Sequence, residues 1–324
     1  MNGKIPLAPV AVALVAALGT STAQAQGWPE KPVRYVVSTT AGGSSDTMAR
    51  MMAPRLTELW GQPVVVENRP GAGGNLGTDI VAKSPPDGYT VLVGSIGPLA
   101  VNPHLFAKIP YDPLRDLAPV TLLAHVANVL VINPSIPARN IREFIAFAKS
   151  RPGQLHFGSA GNGQSQHLAG ELFNSMAGTK LVHVPYKGSA PALTDVIGGQ
   201  IELTFTSLVS GIPHVRSGRL RGLAVTSLER QPIAPDLPAV AETLPGFSVT
   251  AWFAMVAPAA TPKEIVNRIQ ADSARVLKAP DAAERLSALG AQMVLGTPEE
   301  FGAFLRSELA KWGKVIREAK IKPD

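Results

Sequence analysis

The sequence contains no cysteine, which excludes a disulfide framework and removes the residue on which a lipid anchor would be built. Histidines number only 6 and are dispersed, with no pair at metal-ligand spacing, so no metal site is expected. Charge is sparse as well: 17% charged residues against 45% hydrophobic ones is an ordinary globular balance, which excludes a disordered chain. The net charge of +6 invites a nucleic-acid partner. The lysines and arginines are scattered, however, and no basic run interleaves with aromatics, so nucleic acid is not expected. Beyond residue 18 no apolar run approaches the roughly 20 residues that cross a bilayer.

What is present begins with a leader. Met1-Asn-Gly-Lys4, an apolar run from Ile5 to Leu18, and small residues at Ala23 and Ala25 predict a secretory signal peptide removed after about Ala25. The apolar run is too short for a transmembrane helix, so a soluble, exported chain is expected. Its roughly 300 remaining residues favour two domains, with one large α/β domain as the alternative.

A unit of short apolar strand, small-residue turn and helical pattern recurs along the chain. It appears as Arg34-Tyr-Val-Val-Ser38, Pro63-Val-Val-Val-Glu67, Tyr89-Thr-Val-Leu-Val-Gly-Ser95 and Leu155-His-Phe-Gly-Ser159, each running into a turn. Such alternation predicts βαβ units and mostly parallel sheets, with the turns converging beyond the carboxyl ends of the strands. Two longer apolar runs, Val120–Ile132 and Phe247–Val256, read as strands crossing between domains. The expected division is therefore residues 26–127 and 249–324 in a discontinuous first domain and 128–248 in a second. Helices are expected to start within Pro137-Ala-Arg-Asn-Ile-Arg-Glu-Phe144, with Phe144 and Ala148 on the apolar face, after a Thr261 cap, and at Thr297-Pro-Glu-Glu300.

Several chemistries can be weighed on the turns. Gly71-Ala-Gly73-Gly-Asn-Leu-Gly77 between a strand and a helix is a variant of the dinucleotide fingerprint, but the next strand ends Gly94-Ser95 without the acid that would hold a ribose. A serine hydrolase needs Gly-x-Ser-x-Gly, and the nearest match, Gly163-Gln-Ser165-Gln-His167, ends in histidine. There His167 reads as a helix-start hydrogen-bonding group and not as a base. What remains is a set of donor-rich turns suited to an anion. Ala41, Gly42, Gly43 and Ser44 precede a helix with Asp46 near its start, where capping is the preferred role for the carboxylate. Gly71, Ala72, Gly73, Gly74 and Asn75 form the second turn and Ser95 ends the next strand. On the other half, Ser159, Ala160, Gly161, Asn162, Gly163 and Ser165 make a similar turn, with Tyr186 and Lys187 after a further strand and Ser207 after another. Arg69 reads as a loop brace in preference to a ligand clamp, and Trp252 and Phe253 as core.

The order of these pieces resembles the Bug-type periplasmic solute receptors of tripartite tricarboxylate transporters. The resemblance is carried by Trp28-Pro-Glu-Lys-Pro-Val33, Ala41-Gly-Gly-Ser-Ser-Asp46, Val66-Glu-Asn-Arg-Pro-Gly-Ala-Gly-Gly74 and Pro86-Asp-Gly-Tyr-Thr90. It continues through Gly158-Ser-Ala-Gly-Asn-Gly-Gln-Ser-Gln-His-Leu168, His183-Val-Pro-Tyr-Lys-Gly188, Ala224-Val-Thr-Ser227 and Trp252. Each motif is weak alone; their order over nearly the whole chain is specific. The family implies an α/β two-domain periplasmic-binding-protein (Venus flytrap) fold with two hinge-crossing strands and an organic acid in the cleft. It implies no enzymatic activity and no cofactor, a monomer, and a membrane permease as partner; a sensor or scavenger without a permease is the alternative. One acid carboxylate would be held through backbone groups and waters at Ala41 to Ser44 and Gly71 to Asn75, with Ser159 to Ser165, Tyr186, Lys187 and Ser207 completing specificity. One departure is Ser38-Thr39-Thr40 at the end of the first strand, which bears on the shape of the proximal pocket.

Overall fold

The computed structural model describes residues 27–288, 290–319 and 321–323, so the expected leader lies outside the described residues. The first strand, β1 (Val33–Val37), is a β-branched and aromatic run buried at every position but Arg34. Helix α1 (Ser44–Trp60) follows and sets Met48, Met52, Leu56 and Trp60 at four-residue spacing into the core that holds Val33, Tyr35 and Val37. Next come β2 (Val64–Asn68), α2 (Asn75–Ala82), β3 (Thr90–Ser95) and the short α3 (Asn102–Leu105). β2, β1 and β3 lie side by side and parallel.

The chain then crosses on β4 (Leu117–Ile132), a strand of 16 residues. Beyond it lie α4 (Ile141–Lys149), β5 (His156–Ser159), α5 (Ser165–Ala177), β6 (Val182–Pro185), α6 (Ser189–Ile197), β7 (Leu203–Ser207), α7 (Leu208–Arg216) and β8 (Arg221–Val225). The Asn140 side chain accepts from the Glu143 N–H and starts α4, whose Phe144 and Ala148 are buried as expected. Phe144, Phe157, Phe173, Phe205 and Phe247 pack ring against ring, with neighbouring centroids 5.6–6.5 Å apart, into the core of this second lobe. His183, expected to follow a strand, lies within β6.

The return is β9 (Thr250–Pro258), followed by α8 (Lys263–Leu277), α9 (Pro280–Ala288), β10 (Ala291–Met293) and α10 (Pro298–Ala319). The strand order is β2-β1-β3-β9-β4-β7-β5-β6, with β8 and β10 also on β4. Parallel pairing holds within each lobe's βαβ units, but β9 runs antiparallel to β3 and β4, and β4 antiparallel to β7 and β8. The two crossing strands carry the chain out and back, so they run in opposite senses and mix each sheet. Up to Ala127, β4 pairs with β9; from Asn128 it pairs with β7.

The last helices return to the first sheet. Trp60 Nε1 donates to Asp272 of α8 at 2.6 Å, and Trp252 Nε1 and Trp312 Nε1 both donate to Glu308 of α10, at 2.8 and 2.9 Å. Trp252 is thus core, as expected. α10 opens on a reciprocal box, with Thr297 Oγ1 accepting from the Glu300 N–H and Glu300 accepting from the Thr297 N–H. The cap expected at Thr261 is corrected: the Pro262 carbonyl takes the first helical bonds of α8, from Ile265 and Val266. Capping therefore falls on a residue with no side-chain acceptor.

Candidate functional site

Three helices begin at one place. Gly43, Ser44 and Ser45 at the start of α1, Gln164, Ser165 and Gln166 at the start of α5, and Ser189 at the start of α6 all line one narrow cavity. The first N–H groups of a helix have no intrahelical acceptor, and each helix start carries roughly half a positive charge. In α1 the first intrahelical bond is from Thr47 N–H to Gly43 O, and in α5 from Leu168 N–H to Gln164 O. The N–H groups ahead of those two have no acceptor within their helices. Thr39, Ser95, Ile96, Ala160, Ala251 and Phe253 complete the wall, and among the described residues no charged side chain lines it. The helix starts therefore supply positive partial charge to the site.

The wall comes from both lobes, and the lobes touch. Ser44 Oγ lies 2.6 Å from Ser207 Oγ, Ser95 Oγ donates to Gln164 Oε1 at 2.9 Å, and the Thr40 N–H donates to the Lys187 carbonyl at 3.2 Å. Gln164 Nε2 also donates to the Gly73 carbonyl at 2.9 Å, so one amide spans two first-lobe turns. The loops around Gly73 and Gly161 meet directly, since a Cβ built on Gly161 would stand 3.3 Å from Gly73 Cα.

Of the residues expected to bind, Gly43, Ser44, Ser95, Ala160 and Ser165 line the cavity, and Ser207 joins it through Ser44. The others stand behind the wall or beside it. Gly73, Gly161 and Asn162 form the contact between the loops, and Gly163 packs on Asn102. Asn75 accepts from Asn102 and Tyr111 in the first lobe, with Gly71, Ala72 and Gly74 shaping its turn. Ser159 accepts from the Gly161 N–H and meets His183 Nε2 at 2.6 Å, bracing its own loop; burial pushes the His183 imidazole down to about 4. Tyr186 is turned to Asp195, 2.6 Å away, and the Lys187 side chain is exposed while its carbonyl takes the Thr40 N–H. Neither side chain lines the cavity. Ser165 Oγ donates to Asn128 Oδ1 at 3.4 Å and His167 Nδ1 accepts from the Gly163 N–H, the helix-start bond expected of it.

Ser45, Ile96, Gln166, Ser189 and Ala251 are wall residues that reading the turns did not single out. Ser45, Gln166 and Ser189 share one signal, a polar residue in the first turn of a helix that follows a strand. Phe253, read as core, is buried and also faces the cavity.

Asp46 and Ala41–Gly42 form the scaffold of the first turn. Asp46 does not cap its helix; its carboxylate reaches back to the Gly42 N–H at 2.9 Å and holds Arg50 and Asn68 at 3.0 Å. Burial works to raise this carboxyl, but the bonds from Arg50, Gly42 and Asn68 outweigh it and hold it below the usual carboxylate range. A depressed folded-state value stabilises the protein above the unfolded value, about pH 4, and that contribution is lost as pH falls through the folded value. Asp46→Asn is therefore expected to be less stable than wild type at pH 7, with the gap closing below about pH 4. Urea unfolding at pH 7, 5, 4 and 3 checks this; a gap that stays constant across the series contradicts it.

Two α/β lobes joined by crossing strands and shut on an uncharged, dipole-lined cavity define a solute-binding protein of the flytrap class. Residues 48–321 match the model of the tripartite tricarboxylate transporter family receptor. The chain is similar to Protein BugT of Bordetella pertussis, 38% identical over 326 residues that cover 99% of this chain and all of BugT. A solved structure of R. palustris Rpa4515 with adipate superposes with a TM-score of 0.89 at 38% identity, covering 92% of this chain and all of that one. MatC from Rhodopseudomonas palustris with bound malate superposes at 0.86 and 32% identity, covering 89% of this chain and all of MatC. The chain belongs to the tripartite tricarboxylate transporter receptor family, whose members are periplasmic solute-binding receptors and not enzymes.

Proposed function

We propose that this receptor binds a small organic acid in the cavity between its lobes, holding a carboxylate on the converging starts of α1, α5 and α6. The observation that carries the reading is the meeting of these helix starts, with their serines, at a cavity with no charged residue on its wall among the described residues. Hydrogen bonds to a charged group contribute about 1.5–3 kcal/mol each. A micromolar complex needs about 8 kcal/mol, so three or four aligned donors in a water-poor cavity reach it without an arginine clamp. The adipate and malate bound by the two similar proteins support a carboxylate as the ligand class.

In this reading residues 26–127 with 249–324 form one lobe and 128–248 the other. Leader removal after about Ala25 frees a periplasmic monomer. The acid-loaded, closed form is what a membrane permease of the tripartite tricarboxylate type accepts. A ligand that binds the closed form stabilises it by mass action. Thermal melting and calorimetry against dicarboxylates, tricarboxylates, monocarboxylates and neutral sugars test the proposal. One or more acids at a hundred times their Kd are expected to add about 2.7 kcal/mol of stability. Stabilisation by sugars and by none of the acids would overturn it.

A further inference from the structure

The cavity wall holds polar groups that a carboxylate does not use. Gln166 is 6% exposed and sits on the wall, and its Nε2 donates to Ser189 Oγ at 3.2 Å. Its Oε1 is buried and has no hydrogen-bond partner among the described residues. A buried acceptor without a donor is costly, and a carboxylate oxygen cannot satisfy it, since both are acceptors. Ser45, also on the wall and 1% exposed, has a hydroxyl in the same condition, and a hydroxyl can either give or take a proton.

Accepting that the cavity takes a carboxylate, we infer that its preferred ligand is a hydroxy acid, and that Gln166 reads the hydroxyl by accepting its proton. The complementary donor on the ligand has to be neutral. An ammonium group would meet the positive ends of three helices with no carboxylate on the wall to compensate, whereas a hydroxyl meets only the amide oxygen. Phe253 closes the wall with an apolar face, which suits the carbon skeleton between the acid and the hydroxyl. Gln166 is thus a specificity-determining residue: the helix starts recognise the acid, and the amide recognises what the acid carries.

The test compares acids that differ by one hydroxyl, lactate against propionate and malate against succinate, by calorimetry on wild type and Gln166→Leu. In wild type the hydroxy acid of at least one pair is expected to bind about tenfold or more tighter than its deoxy partner, since losing it leaves Oε1 unpaired. In Gln166→Leu that ratio is expected to fall to about one. A wild-type ratio of one in both pairs, or a ratio that survives in Gln166→Leu, overturns the inference and leaves carboxylate binding standing. Absence of binding by all four acids, and by the wider acid panel, would sink the carboxylate reading itself. Serine and 2-aminosuccinate, run beside them, should bind more weakly than lactate and malate; tighter binding by the amino acids also overturns the proposal.

Discussion

Gly73→Val is expected to weaken binding of the tightest acid of the panel by more than about a hundredfold while leaving a folded protein. Gly73 has φ of +65°, where a β-branched residue is disfavoured, and a Cβ there would stand 2.3 Å from the carbonyl oxygen of Asn162 on the opposite lobe. Backbone cannot swing aside as a side-chain tip can, so the lobes must part to make room. Parting them also breaks the Gln164 bond to the Gly73 carbonyl and opens the cavity to water. The open form pays only for the backbone conformation, about 1–2 kcal/mol, so melting without ligand falls by a few degrees. Small-angle scattering should show wild type contracting when the acid is added and the variant not. Gly73→Ala, which carries the offending Cβ without the bulk, should lose most of the same affinity. A folded Gly73→Val protein with wild-type affinity would remove this loop contact from the closed state.

The parts of this design that are local were legible in the residues. A β-branched run followed by glycines and serines announces strand, turn and helix, and so β1, β2, β3, β5 and the turns after them stand close to where the pattern puts them. The two long apolar runs likewise gave away the crossing strands. What the pattern could not supply is rotation. Ser45, Gln166 and Ser189 face the cavity because of how each helix is turned about its axis and how the lobes close, and neither depends on the neighbouring residues alone. Alternation on β9 shows that Trp252 and Phe253 face opposite sides, but only the packing of α10, whose Glu308 accepts from the indole N–H, decides that Trp252 turns away from the cavity and Phe253 toward it. Tyr186 was drawn away by Asp195, nine residues on, a partner that the folding of α6 brings back to it. Thr39, in the strand end that departs from the family resemblance, lies on the wall, so that departure does touch the pocket.

Thr226→Val is expected to lower the melting temperature by roughly 5–15 °C, the largest stability effect of the substitutions considered, although it changes hardly any volume. Thr226 is fully buried where the two crossing connections run side by side. Its N–H donates to the Asn128 carbonyl at 2.8 Å, and its hydroxyl accepts from the Asn128 N–H at 3.0 Å and donates to the Val249 carbonyl at 2.6 Å. The Val249 N–H in turn donates to the Thr226 carbonyl at 2.9 Å. One hydroxyl therefore ties β4 to the return segment, at the residue where β4 exchanges β9 for β7 as its partner. Valine keeps the shape and strands two backbone groups, the Asn128 N–H and the Val249 carbonyl, at about 1–3 kcal/mol each. Thr226→Ser keeps the hydroxyl and loses a methyl, so its loss should be within about 1.5 kcal/mol. If serine proved as damaging as valine, packing and not the hydrogen bonds would hold the crossing together. Acid affinity gives the second readout: it should fall less in Thr226→Val than in Gly73→Val, because the crossing sets how the lobes swing while the Gly73 loop decides whether they can meet.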